Sequence, residues 1–402
     1  MSSSKPPGNN PYPAAGDTAP GNNMKRPITI LMITLVGLSA CTETNLAPDR
    51  QEKGRQVLFT VSPVKTTDTR AVTTQSFSTS QTFGTTAFAI DAGTTWKAAT
   101  EGSATIYETN ITGKEISYQG GVWKADQSYY WEDFEDYSLT FLSWSPYDLV
   151  STSSTTAGGP LTITADHDFS YTGWTMQNTA GYGYTKDDDG NYIRNTEDGS
   201  VDLLLAKSTD ITEDTDGGRV LTQFVHQLCN VKINARIVDE PKSGEQWHIY
   251  KVALSGIYTK GNLLKAATIN KSSSADDEPL YNTQIWGSQS DTLTYSYIKN
   301  IDLVHSEDMT EIFPQTLMLP QSVLKNSDHE PKVTIYYTDE KGAYKKLYGY
   351  LAPNSNSTLT AWLAGKSITY SINISTQEYY IDFDAAVDDW SDGSSTEISV
   401  GN

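Results

Sequence analysis

Apolar and polar residues alternate along several short segments of the chain, and this period of two is typical of β-strands with one buried face. The alternation is clear in residues 56–61, where Val57, Phe59 and Val61 share one parity. The other short runs that we interpret as strands are residues 85–90, 137–144, 201–206, 332–337 and 367–374. Turn residues separate these runs at short intervals, which favours an all-β fold of the sandwich type.

The segment from Val220 to Val238 carries two different parities. Phe224, His226 and Leu228 share the first, whereas the apolar residues from Cys229 onwards fall on the second. Because neighbouring side chains of a strand point to opposite faces, the buried face changes near residues 228–229. The sequence therefore predicts a β-bulge there, or a strand that leaves one sheet for another. No segment of 12 or more residues has the period of an amphipathic helix.

The length of the chain fits about two domains, because 402 residues are too many for one ordinary β-sandwich. The best linker is residues 239–245, a polar stretch that contains Pro241 and Gly244. We therefore predict an N-terminal β-sandwich over residues 55–238 and a C-terminal β-sandwich over residues 239–402.

Residues 24–41 have the layout of a secretory leader, with Met24 as the expected start. Lys25 and Arg26 provide a short positive segment, and an uncharged, mostly apolar run follows over residues 28–38. That run is too short to cross the ~30 Å apolar core of a membrane as a helix. A leader of this kind predicts export from the cytoplasm.

The leader ends in residues 38–41, Leu-Ser-Ala-Cys, which resemble the lipobox of bacterial lipoproteins. In proteins of that type the cysteine becomes the lipidated first residue of the mature chain. We therefore predict that residues 1–40 are an N-terminal extension and lipoprotein signal peptide, and that Cys41 is lipidated. The polar residues 41–54 are then a tether that holds the folded part outside the membrane.

The net charge and the cysteine content bear on three properties: nucleic acid binding, disulfide formation and thiol reactivity. The formal net charge is −20, and a chain this acidic is repelled by phosphates, so we expect no nucleic acid partner. Only two cysteines occur, and a lipidated Cys41 leaves Cys229 without an intrachain disulfide partner. Because Cys229 lies in an apolar strand, we interpret it as a buried, unreactive thiol.

No catalytic or metal-binding motif stands out. The patterns HExxH, CxxC, GxSxG and the P-loop do not occur. His226 lies in a strand among core residues, so we interpret it as structural. Residues 187–191 are acidic but lack the spacing and the terminal glutamate of an EF-hand loop. We therefore predict a protein that is not an enzyme and that uses no cofactor and no metal.

Two aromatic clusters, residues 129–131 and 379–380, leave two interpretations open. Aromatic side chains in strands usually pack in the core or across a strand pair. The alternative is a platform on which sugar rings stack.

A series of short motifs in residues 55–390 resembles the fimbrillin family and keeps the family order. In the N-terminal half the motifs are Thr69-Arg70-Ala71, Phe83-Gly84, Gly120-Gly121-Val122-Trp123, Tyr129-Tyr130-Trp131, Leu139-Thr140-Phe141, Ser145-Pro146-Tyr147, residues 202–206 and residues 224–228. In the C-terminal half they are Phe313-Pro314-Gln315, Leu319-Pro320-Gln321, residues 364–370 and Val387-Asp388-Asp389-Trp390. Each motif alone is weak, and the ordered series is specific.

The resemblance implies two transthyretin-like β-sandwiches in tandem and display on the outer membrane as a lipoprotein. It also implies a fimbrial (pilus) subunit or tip adhesin that assembles by strand exchange, in which a protease cuts after an arginine and the first strand is released. The expected partners are other fimbrial subunits, the outer membrane through a lipid anchor, and a receptor or glycan on a host or bacterial surface.

In this sequence Arg70 fits the cut site implied by the resemblance, because it follows the first predicted strand, which carries Val57, Phe59 and Val61. A cut after Arg55 would leave that strand in place. Residues 396–400 alternate and place Ile398 and Val400 on one face, so they fit a donor strand. This tail is short, which leaves tip, anchor and short-fimbria roles open.

Two alternatives remain at this stage. In the first, Arg70 is an ordinary loop residue and no cut occurs. In the second, the protein is a surface glycan-binding lipoprotein without fibre assembly, and it then needs an exposed aromatic platform.

Overall fold

The computed structural model describes twelve parts of the chain, which are residues 54–62, 77–149, 161–176, 184–186, 192–194, 202–239, 247–264, 266, 286–339, 341–357, 359–375 and 380–389. Strands dominate these parts, and the expected all-β fold is confirmed. The helical elements are α1 (Trp96–Thr100) and three 3-10 turns at Trp131–Phe134, Tyr147–Leu149 and Thr215–Gly217. No helix in the described residues is long and apolar enough to cross a membrane.

Thirteen strands of the described residues precede residue 229. They are β1 (Leu58–Ser62), β2 (Phe83–Asp91), β3 (Tyr107–Glu108), β4 (Lys114–Gln119), β5 (Val122–Ala125), β6 (Tyr137–Ser145), β7 (Leu161–Ile163), β8 (Phe169–Thr175), β9 (Tyr184–Lys186), β10 (Tyr192–Arg194), β11 (Leu204–Ile211), β12 (Arg219–Gln223) and β13 (Val225–His226).

Nine strands follow in the rest of the described chain. They are β14 (Cys229–Ile237), β15 (Trp247–Leu263), β16 (Trp286–Tyr297), β17 (Ile301–Leu303), β18 (Thr310–Met318), β19 (Lys332–Thr338), β20 (Tyr344–Tyr350), β21 (Lys366–Ser375) and β22 (Tyr380–Asp389).

The strands form three sheets. The first has the order β12-β1-β5-β4-β2-β6-β11-β13, and β3 pairs with β2. The second has the order β20-β19-β15-β16-β10-β9, with β17 and β8 also paired to β15 and β7 paired to β8. The third has the order β18-β14-β21-β22.

The change of parity near residue 228 is a change of sheet. Strands β12 and β13 belong to the first sheet, whereas β14 belongs to the third, where it pairs with β18 and β21. The residues before and after the change therefore bury their apolar side chains in different cores. Of the two predicted explanations, the strand that leaves one sheet for another is confirmed.

The order of strands in the second sheet does not follow the order of the chain. Strand β8 pairs with β15, and β10 pairs with β16, so strands from before residue 229 share a sheet with strands from after it. Residues 240–246, which contain most of the predicted linker, lie outside the described residues. The division into tandem sandwiches at residue 239 stays a prediction.

Strands β2 and β6 separate two cores. Both are buried on both faces along almost their whole length. In β6, Phe141 points into the first core, which includes Phe59, Phe83 and Trp131, and Trp144 points into the second core. A third core lies among the C-terminal strands. Side chains of both parities of β6 are therefore enclosed, as in a strand that is covered on both faces.

Cys229 lies at the start of β14 and is fully buried. Its thiol donates to the carbonyl oxygen of Met318 at 3.3 Å, and burial raises the pKa of the Cys229 thiol. A buried thiol with a raised pKa forms little thiolate at neutral pH, which agrees with an unreactive cysteine.

Candidate functional site at the first strand

The candidate site is β1 together with the two strands that flank it. Strand β1 runs parallel to β12, with five residue pairs from Leu58–Arg219 to Ser62–Gln223. On its other side it is antiparallel to β5, where Phe59 lies opposite Trp123. The first strand of the described chain is therefore an inner strand of the sheet.

The side chains of β1 alternate between the core and the surface. Val57 and Phe59 are buried, and Val61 is partly buried against the first core. Thr60 points to solvent. The Phe59 ring meets the rings of Phe83 and Phe141 edge to face, at centroid distances of 5.8 and 5.6 Å.

The contact between Phe59 and Phe141 shows how the sheet is shaped. Strands β1 and β6 are separated by β5, β4 and β2 in the sheet order, yet their rings touch. The sheet therefore curls around the first core, and β1 closes that core on one side. Phe59 is the residue of β1 whose ring makes this contact across the core.

Backbone hydrogen bonds hold the segment just before β1. The Val57 amide donates to the Tyr129 carbonyl at 2.8 Å, and the Trp131 amide donates to the Arg55 carbonyl at 2.9 Å. These two bonds continue the antiparallel pairing beyond β5. The Gln56 side chain adds a bond from Nε2 to the Ser128 hydroxyl at 3.3 Å.

Arg55 fastens the same segment to the turn that precedes β12. Its Nη1 donates to the Glu213 carbonyl at 3.1 Å, and its Nε lies 3.6 Å from the Glu213 carboxylate. Both side chains are about half exposed, so the ion pair adds little to stability. At Gly218 a Cβ would lie 2.4 Å from the Arg55 side chain, and φ is +78°, so glycine is required there.

Phe77 marks the point where the described chain resumes after β1. Its ring stacks on Phe224 at 5.2 Å and meets Phe83 and Trp123 edge to face. Residues 63–76, which include the predicted cut site Arg70, lie outside the described residues. Val61 and Phe77, which lie on either side of this segment in the sequence, both pack against the first core.

The other predicted site residues fall outside the described residues. These are the lipidation site Cys41 and the two residues of the C-terminal tail, Ile398 and Val400. The acidic stretch 187–191 is also outside them. Within the described part of the chain, no group of three or more His, Cys, Asp or Glu side chains could hold a metal ion.

The aromatic cluster at residues 129–131 is packing, not a platform. Tyr129 and Trp131 are buried in the first core, and the Trp131 indole donates to the Gly218 carbonyl at 2.9 Å. In the second cluster, Tyr379 lies outside the described residues. The sugar-platform interpretation therefore has no support at residues 129–131.

His226 is buried in β13, and its Nδ1 contacts the Asp202 carboxylate. The neighbouring Gln227 is also buried, and its side chain donates to the Val225 carbonyl at 2.8 Å. A paired and enclosed imidazole agrees with the structural role predicted for His226.

We expect His226→Gln to lower the free energy of unfolding by about 1–3 kcal/mol, because it leaves a partly buried carboxylate without its partner. Urea titrations of the variant and the parent measure this difference. Assembly of the folded variant should be unchanged. An unchanged unfolding midpoint together with lost assembly would contradict the structural role.

Comparison with known proteins places the chain among fimbrial sequences. The family model described as fimbrillin-like matches residues 69–390, which is more than half of the chain. No curated protein sequence matches the chain.

The solved structures to which the chain is similar include two fimbrial proteins. A fimbrial protein from Bacteroides vulgatus is 14% identical over 77% of this chain and 93% of its own, with a TM-score of 0.47. The tip fimbrial protein Mfa3 from Porphyromonas gingivalis, with a C-terminal truncation, is 10% identical over 77% of this chain and 95% of its own, with a TM-score of 0.34.

Proposed function

The chain belongs to the fimbrillin-like family, and from this premise we propose that it is a surface fimbrial subunit that assembles by strand exchange at β1. The proposal gives the protein a structural role and not an enzymatic one. Its partners are other fimbrial subunits, and its place is the outer membrane surface and the fimbria.

One observation carries the proposal, which is the position of β1 inside the sheet. Among the described strands, β1 is the only partner of β12, and it also covers the free edge of β5. If β1 leaves, a groove opens between two strands whose backbone groups have lost their partners. An incoming strand can satisfy both edges at once, whereas an ordinary edge strand offers one.

The energetics of β1 suit replacement once the chain is cut. Burial of Val57 and Phe59 contributes about 1.5–3 kcal/mol each. Ordering the five residues of β1 costs about 1–2 kcal/mol per residue. These contributions are of similar size, so a severed β1 is held weakly and a better-fitting donor can displace it.

The position of Arg70 suits a cut that frees β1 alone. It lies between Ser62, which ends β1, and Phe77, which is stacked on Phe224. Cleavage after Arg70 separates these two ends, and Phe77 keeps its contacts with Phe83 and Trp123 in the floor of the groove. A cut after Arg55 would leave β1 attached to the rest of the chain.

The donor strand that fits this groove has apolar residues on alternate positions. The C-terminal residues Ile398 and Val400 have the spacing of Val57 and Phe59. We therefore propose that residues 396–400 of one subunit enter the groove of another. The decisive experiment for this function is assembly after digestion with an arginine-specific protease.

A lipid anchor at Cys41 would attach the subunit to the outer membrane. The support for this part of the proposal is the leader over residues 24–40 and the polar tether that follows it. In the sequence, β1 follows soon after this tether. Cleavage after Arg70 would then release the fibre-forming part of the chain from its lipid.

We expect Cys41→Ser to abolish incorporation of a labelled fatty acid and to move the protein from the membrane pellet to the soluble fraction of lysed cells. The reason is that serine cannot form the thioether that carries the lipid. The matched control is Cys229→Ser, which leaves the anchor intact. Membrane retention of the Cys41→Ser variant at the parent level would contradict lipidation at this residue.

A further inference from the structure

The outer face of β19 and β20 carries a set of tyrosines that the core does not use. Along β19, Val333, Ile335 and Tyr337 point into the third core. The alternate residues face outward, and the cross-strand pairs place Tyr336 beside Lys346 and Thr334 beside Tyr348. Strand β20 is the last strand in the order of its sheet, so this face lies at an edge of that sheet.

A β-bulge adds a further tyrosine to the same face. Ile249 pairs with Tyr337, and Lys251 pairs with Tyr336, so Tyr250 is an extra residue on β15. The Tyr250 ring lies 5.4 Å from the Tyr344 ring and 6.2 Å from the Tyr336 ring. Bulges re-aim side chains in this way.

The resulting tyrosine face consists of Tyr250, Tyr336, Tyr344, Tyr348 and Tyr350. Tyr344 is 78% exposed and Tyr348 is 55% exposed, which are among the highest exposures of large apolar side chains in the described residues. The rings of Tyr348 and Tyr350 are 6.1 Å apart. Exposed aromatic residues that cluster in this way mark interaction sites more often than single ones do.

Lysine side chains lie close to the rings of the tyrosine face. Lys251 lies 5.3 Å from the centre of the Tyr336 ring, and Lys332 lies 5.9 Å from that of Tyr348. Lys346 extends the set through its pairing with Tyr336. Within the described part of the chain, none of these three lysines has a carboxylate within 4.0 Å. A chain of net charge −20 thus keeps a local group of unneutralised cations.

A polar cleft adjoins the tyrosine face. It measures about 310 Å³ and is lined by Ser255, Gly256, Thr292, Ser327, Asp328, His329, Glu330 and Lys332. The cleft therefore carries two carboxylates beside its lysine. Ser255 pairs with Lys332, which in turn pairs with Tyr350, so the cleft continues a row of the same face. His329 is buried against the Tyr258 ring, and its Nε2 has no hydrogen-bond partner among the described residues.

We propose that the tyrosine face and the adjoining cleft bind an anionic glycan, with sugar rings stacked on the tyrosines and acidic groups held by the lysines. Lys251, Lys332 and Lys346 favour an anionic group over the tyrosine face itself. In the adjoining cleft, Asp328 and Glu330 can accept hydrogen bonds from sugar hydroxyls, so the cleft takes the neutral part of the glycan.

The composition of the face argues for a glycan over a protein partner. Protein interfaces are enriched in arginine and depleted in lysine. The cations named here are lysines, and the Lys251 and Lys332 ammonium groups lie near the Tyr336 and Tyr348 rings. This binding does not depend on strand exchange, because β15, β19 and β20 contain no part of β1, β5 or β12.

The test is isothermal titration of the uncut, full-length Cys41→Ser chain with a heparin octasaccharide, a hyaluronan octasaccharide and a neutral cello-oligosaccharide. We expect at least one of the two anionic probes to bind more tightly than the neutral one, and added NaCl to weaken that binding. Tyr344→Ala combined with Tyr348→Ala should weaken it by about tenfold or more. Lys332→Gln combined with Lys346→Gln should weaken it and reduce its dependence on NaCl.

Two matched controls keep the result specific. Tyr107→Ala with Tyr118→Ala removes two exposed tyrosines from the first sheet, and Lys97→Gln with Lys299→Gln removes the same charge elsewhere. Both controls should bind as the parent does. The proposal is overturned if neither anionic probe binds the parent, if the neutral probe binds equally well, or if the controls lose as much affinity as the face variants. It is also overturned if the face variants lose only self-association, because the partner is then a second copy of the chain.

Discussion

Phe59→Ala should lower the free energy of unfolding by about 3–5 kcal/mol, which is the cost of truncating a buried phenylalanine in a core that cannot collapse around the gap. The reason is local. Phe59 is almost fully buried, and its ring contacts Phe83 and Phe141, which come from strands held in place by their own sheet pairs. Urea titration followed by tryptophan fluorescence measures the loss, because Trp123 and Trp131 lie in the same core.

The matched control for this variant is Thr60→Ala on the same strand. Thr60 points to solvent, so its substitution should change the free energy of unfolding by less than about 0.5 kcal/mol. The difference between the two variants separates core packing from strand propensity. A Phe59→Ala variant as stable as the control would show that β1 is not part of the cooperative core.

The alternation in residues 56–61 predicted which side chains of β1 are buried, because that information is local to the strand. Val57 and Phe59 lie in the core, as the parity requires. The neighbours of β1 could not be predicted in this way. Its parallel partner β12 lies about 160 residues further along the chain, and such pairing is decided by tertiary packing and not by the pattern of either strand.

The change of buried parity near residues 228–229 predicted a feature that the structure has, which is the change of sheet after Leu228. A buried parity that switches within one continuous run leaves few structural explanations, and the assignment of β14 to a different sheet is one of them. The sequence could not separate this explanation from a bulge. Both shift the buried face by one residue, and they differ only in the strands that pair on either side.

The exposure of the aromatic residues, by contrast, could not be predicted from the sequence. Residues 129–131 attract attention as three consecutive aromatic residues, yet Tyr129 and Trp131 are buried. The tyrosines that are exposed, Tyr344 and Tyr348, are spaced along one edge strand. Their exposure depends on whether another layer covers that face, and a single strand pattern carries no information on the covering layer.

Cleavage after Arg70 should convert a monomer into a species that assembles, and Arg70→Ala should prevent that conversion under the same digestion. In the uncut chain, β1 fills the position between β12 and β5, so no unpaired edges are available there. After the cut, β1 is held only by its own contacts. Size-exclusion chromatography of the digested Cys41→Ser chain should show higher oligomers, and mass spectrometry should show a new N-terminus at Ala71.

Arg55→Ala is the matched control, because it removes an arginine on the other side of β1. This variant should be cut after Arg70 and should assemble as the parent does. Its ion pair with Glu213 is half exposed, so the loss should cost little stability. Equal assembly of the parent and the Arg70→Ala variant would contradict a trigger at Arg70 and would favour a surface lipoprotein that does not form fibres.

A synthetic peptide of residues 55–62 should separate strand exchange from other routes to assembly. If the groove left by β1 is the assembly site, an excess of this peptide added to the cut chain should reoccupy the groove and slow oligomer formation. The same peptide with Phe59→Ala should be a much weaker inhibitor, because it lacks the ring that contacts Phe83 and Phe141. Equal inhibition by both peptides, or by neither, would show that assembly does not pass through the position of β1.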